Sequence, residues 1–65
     1  MSEQDIVNEF VEYVLPYVQQ EYEQDGIVDG IARRENYNNY VDYLREEGLV
    51  SEELANVTCL PDSLE

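Results

Sequence analysis

Sixty-five residues with 43% hydrophobic side chains suffice for one domain with a small core and no more. Sixteen acidic residues against three basic ones, with no histidine and a net charge of −13 at pH 7, exclude direct binding to nucleic acid or to an anionic membrane, because like charge repels. No apolar run is long enough to span a bilayer, no signal-peptide pattern opens the chain, and the lone Cys59 permits only intermolecular pairing, so the expected setting is the reducing cytoplasm.

The first predicted helix covers residues 2–24. At helical spacing Ile6, Val7, Phe10, Val11, Val14, Leu15 and Val18 form an apolar stripe, and Asp5, Glu9, Glu12, Pro16, Gln19, Gln20 and Glu23 fall opposite. Ser2 is a suitable N-cap, with Asp5 three residues on as a short-armed capping box. Pro16 removes one backbone hydrogen bond and crowds the carbonyl four residues back. Because the stripe keeps its phase across Pro16, the expected result is a kinked but continuous helix rather than a break.

Asp25-Gly26 is a turn pair that ends this helix. Residues 26–32 form a connector whose Ile27, Val28 and Ile31 predict that it packs down. Glu21, Glu23, Asp25 and Gly26 match four positions of a calcium loop, but the twelfth position is Ala32 instead of a bidentate glutamate, so a structural turn is expected. A second helix is predicted over residues 33–47, with Tyr37, Tyr40, Val41 and Leu44 inward and Glu35, Asn39, Asp42 and Glu46 outward. Asp29 and Asn36 are both candidate caps. Gly48 suits the position after the helix, with Leu49 as its hydrophobic contact. Ser51 caps a third helix over residues 52–58, Pro61 ends it, and residues 61–65 are expected to fray. The fold predicted is an all-α bundle of about three helices, the first long and kinked at Pro16, forming one domain over residues 1–65.

Catalysis is not expected. Histidine, the commonest general base, is absent, and Cys59 has neither histidine nor lysine to activate it. No cofactor and no metal are predicted. Residues 43–60 have a helix-turn-helix look, but the last helix opens Ser51-Glu52-Glu53, which phosphates would repel. Tyr37 and Tyr40 are expected in the core. Tyr13, Tyr17, Tyr22 and Tyr43 lie near stripe edges, where a tyrosine either packs with a wet hydroxyl or anchors an interface.

What remains is the acidic pattern. Asp5, Glu9 and Glu12, followed by Glu23, line the first helix; Glu35, Asp42 and Glu46 form a second row; Glu47, Glu52 and Glu53 form a third cluster. These ten are the candidate partner-binding residues. Solubility is a weak reason for such charge, since self-repulsion destabilises a small fold. Rows of closely spaced carboxylates imitate a phosphate backbone at lower density, and a basic groove would grip them.

In size, acidity, lack of lysine and acid-striped helices, the chain resembles small phage or mobile-element inhibitors that mimic DNA, of the anti-CRISPR and anti-restriction kind. The resemblance lies in overall character and in no motif, so no residue role is carried over. It implies a partner that is a basic nucleic-acid-binding protein or complex of a bacterial defence system, met by a monomer or homodimer in the host cytoplasm. The rival expectations are an acidic interaction module, adaptor or antitoxin-like, without nucleic-acid mimicry, and a domain merely adapted to salt.

Overall fold

The chain opens with the cap its sequence predicts. In the computed structural model, which describes residues 1–65, the Ser2 amide donates to Asp5 Oδ2 at 2.9 Å and the Asp5 amide donates to Ser2 Oγ at 3.2 Å. Two otherwise unpaired donors are thus satisfied reciprocally. From this cap a continuous helical rod runs over residues 3–22, made of α1 (Glu3–Glu9), a π turn (Phe10–Val14) and α2 (Leu15–Tyr22).

The π turn is how the chain accommodates Pro16. In a regular helix the proline ring would press on the Glu12 carbonyl, which would also lack its donor. Instead the turn widens, and the Leu15 amide donates to the Phe10 carbonyl five residues back. The rod is therefore unbroken, as expected, but the stripe does not keep its phase. The buried line runs Ile6, Phe10, Leu15, Val18, one residue later than an α-helix would carry it beyond Phe10. Val14 is left half-buried, and Val11, expected inside, is exposed.

α3 (Gly30–Glu46) lies against the π turn and α2. It starts three residues before the expected Arg33, because Asp29 is the cap: its Oδ1 accepts from the Ala32 amide at 3.0 Å. The connector is correspondingly shorter, and it does not pack down. Ile27 and Val28 are exposed, and so is Ile31, which the earlier start places about 120° round the helix from buried Tyr37. Asp25 does make the turn, accepting from the Ile27 amide at 3.0 Å. α3 ends in the predicted glycine cap: Gly48 has φ of 75°, its amide donates to Arg45, and the Leu49 amide donates to Leu44. Val50, and not the exposed Leu49, turns inward after it.

Ser51 caps α4 (Glu52–Val57), accepting from the Leu54 amide at 3.1 Å. The end of the chain is ordered where fraying was expected. Leu60 is buried, a 3-10 turn (Asp62–Leu64) follows Pro61, and Leu64 packs against the core. The core joins Ile6, Phe10 and Leu15 of the rod to Tyr37, Val41 and Leu44 of α3, closed by Val50 and Leu60. Phe10 and Tyr37 meet edge to face at 5.3 Å. There is no strand, and no helix is long and apolar enough to cross a membrane.

One hydroxyl pair crosses this core. Tyr37 and Thr58, both buried, share a hydrogen bond of 2.7 Å. Tyr37→Phe strands the Thr58 hydroxyl and is expected to cost about 1–3 kcal/mol in denaturant melts. Adding Thr58→Val removes the stranded group, so the double variant should recover most of that loss.

Candidate interaction surface

Few of the acids are neutralised within the fold, because the three arginines take one each. Arg33 Nε and Nη2 grip Glu23 at 2.6 and 2.7 Å, Arg34 Nε meets Glu65 at 2.9 Å, and Arg45 Nη2 lies 3.4 Å from Asp42. With three of sixteen acids so engaged, thirteen carboxylates have no cationic partner within the fold.

Of the ten candidate residues, Glu23 is the one the structure removes from the surface. Its side chain is 7% exposed, locked bidentate on Arg33, and it also accepts the Asp29 amide at 3.3 Å. Helical spacing puts Glu23 on the outer stripe because it takes no account of the chain beyond the turn. Ten residues on, Arg33 comes back over it, and a further bond from Arg33 Nη1 to the Leu64 carbonyl at 3.0 Å ties in the chain end. Two adjacent arginines in an otherwise nearly cation-free chain were the available signal.

The hydrogen bonds from Arg33, reinforced by the Asp29 amide, hold the Glu23 carboxyl below its ordinary value of 4.5, against the opposing effect of burial. The stabilisation it provides is whole above that ordinary value and is lost as the pH falls through the lower folded value. Thermal melts from pH 7 to pH 3 are expected to show an acid-side loss in the wild type that is smaller in Arg33→Met, where the pair is already gone. An equal loss in both would locate the acid sensitivity elsewhere.

Asp5 is exposed but occupied by the Ser2 cap, whose backbone and side-chain hydrogen bonds lower its pKa. Asp42 is exposed and loosely paired with Arg45. Glu12, Glu35, Glu46, Glu47, Glu52 and Glu53 are exposed. Glu35, Asp42 and Glu46 stand on the side of α3 turned away from Tyr37, Val41 and Leu44, as the spacing predicts.

Glu9 has a different role. It is half-buried between the rod and α3, where its Oε2 accepts from the Tyr40 hydroxyl at 2.9 Å. Burial, the bond to Glu9 and the negative charge around it push the Tyr40 phenol up to about 12, so Tyr40 remains a donor at any physiological pH. Its ring stacks on Tyr43 with centroids 6.2 Å apart and 19° between planes. Tyr40 is thus at the edge of the core and not inside it, and the four edge tyrosines are all at least half exposed. The surface carries no pocket, and exposed tyrosines and exposed acids share it. No protein family, curated protein or solved structure matches the chain.

Proposed function

We propose that this chain is a DNA-mimic inhibitor: it occupies the cationic nucleic-acid-binding surface of a bacterial defence complex, of the anti-CRISPR or anti-restriction type. The observation that carries the reading is charge per unit length. The molecule is 36 Å long and 20 × 16 Å across, so thirteen net negative charges amount to one per about 2.8 Å of its long axis. Duplex DNA carries one per about 1.7 Å and each of its strands one per about 3.4 Å, so the protein falls between them. The three arginines are already subtracted in this figure, and each is paired to an acid, so thirteen carboxylates are left without a cation. A basic groove gains by releasing the counterions that the carboxylates hold.

The test is protection. Expressed in cells that carry a restriction or a CRISPR system, the chain is expected to restore plating of a phage that the system blocks. With the purified defence complex, inhibition is expected to be competed by duplex DNA and to weaken steeply with salt. Absence of rescue against both kinds of system would sink the reading. The exposed aliphatics Ile27, Val28 and Ile31 favour the rival, an acidic adaptor or antitoxin-like module. That rival predicts partner binding that hardly responds to salt and fails when Ile27 and Ile31 become serine.

A further inference from the structure

We infer that the tyrosine cluster over Glu9 is a docking site for an arginine side chain of a basic partner protein. The inference rests on the proposed function in sharing its cationic partner, although it requires no imitation of nucleic acid. Three observations converge on one spot between the rod and α3.

The first is an aromatic platform. Tyr40 and Tyr43 stack nearly parallel, 19° apart, and Tyr43 is 54% exposed, so the half-buried Tyr40 backs a Tyr43 ring that is open to solvent. Tyr13, 66% exposed, lies four residues beyond Glu9 on the rod, about one turn along it. Tyrosine is enriched among the residues that anchor protein contacts. The second is a positioned carboxylate. Glu9 is not a freely swinging surface acid: the Tyr40 hydroxyl fixes its Oε2 and leaves Oε1 for an outside donor. The third is the sign of the field. Neither Glu9 nor Tyr40 is bonded to a cation of the chain, whose three arginines pair with Glu23, Glu65 and Asp42.

A guanidinium satisfies all three. It is planar, stacks on tyrosine faces, and donates in-plane hydrogen bonds to a carboxylate at the same time. A lysine ammonium feels the same field but cannot stack and is more strongly hydrated. An aliphatic side chain would leave Glu9 Oε1 without a donor. The platform therefore discriminates between two cations that charge alone treats alike.

The discriminating experiment uses an oligoarginine and an oligolysine peptide of equal length as probes, titrated at near-physiological salt. The oligoarginine is expected to bind roughly fivefold or more tightly, with ring resonances of Tyr13, Tyr40 and Tyr43 shifting in the bound protein. Tyr43→Leu and Tyr13→Leu are each expected to weaken oligoarginine binding by about two- to fivefold while leaving oligolysine binding in place. Both side chains are more than half exposed, so the fold should be retained, and Tyr22→Leu on the far end of the rod should change neither affinity. Equal affinity for the two peptides, or ring shifts elsewhere than at these three tyrosines, overturns the arginine site and leaves the proposed function standing. Binding of neither peptide overturns both.

Discussion

Arg33→Met is expected to lower the melting temperature by roughly 10–20 °C, the largest loss available from a single side chain outside the apolar core. Arg33 is the one residue that holds three separate parts of the chain. Its guanidinium grips Glu23 at the end of the rod, sits in the first turns of α3, and donates to the Leu64 carbonyl near the last residue. Removing it leaves a nearly buried carboxylate with only the Asp29 amide for support. A chain of this length has roughly 3–10 kcal/mol of stability in all. Glu23→Leu combined with Arg33→Met removes both charges together and should regain much of the loss, because a buried pair contributes little over a well-packed apolar one. If the single variant melted within a few degrees of the wild type, the pair would be an ordinary surface contact.

Glu12, Glu35 and Glu46 reversed together to lysine are expected to have the opposite signature: function lost, stability gained. All three are exposed and their side chains make no hydrogen bond within the fold, and each reversal adds two charges, which takes the net from −13 to −7. Relief of self-repulsion should raise the melting temperature at low salt. Affinity for the cationic partner should fall on the order of 100-fold, and its salt dependence should flatten, because fewer counterions are released on binding. Glu9 and Asp5 are poor choices for this test, since Glu9 holds the Tyr40 hydroxyl and Asp5 closes the N-terminal cap. Undiminished inhibition by the triple reversal would show that the acid rows are not the binding surface.

Local rules carried most of what could be foreseen. Ser2, Ser51 and Gly48 act within a turn of themselves, and each does what its chemistry dictates. The all-α bundle of three helices follows from spacing that a few residues display. What local spacing could not contain is the meeting of distant segments. The bond between Arg33 and Glu23 forms across the connector, and the bond from Tyr40 to Glu9 spans thirty-one positions. The ordered end of the chain belongs to the same class. Leu64 reads as a tail residue after Pro61, yet it packs against the core that distant segments build. The phase shift at the π turn was hidden for another reason. Leu15 and Val14 are both apolar, so the pattern reads equally well with or without an extra residue in the turn.

The clamped state of Arg33 has a practical consequence for proteolysis. Trypsin cleaves after arginine or lysine, and this chain offers it only Arg33, Arg34 and Arg45, all within α3. A protease needs an extended, accessible segment, so cutting must wait for local opening of that helix. The rate at the first two sites reports release of the clasp at its start, and the rate at the third reports fraying at its end. A digest followed by mass spectrometry thus reads the opening of the two ends of one helix separately, without any label.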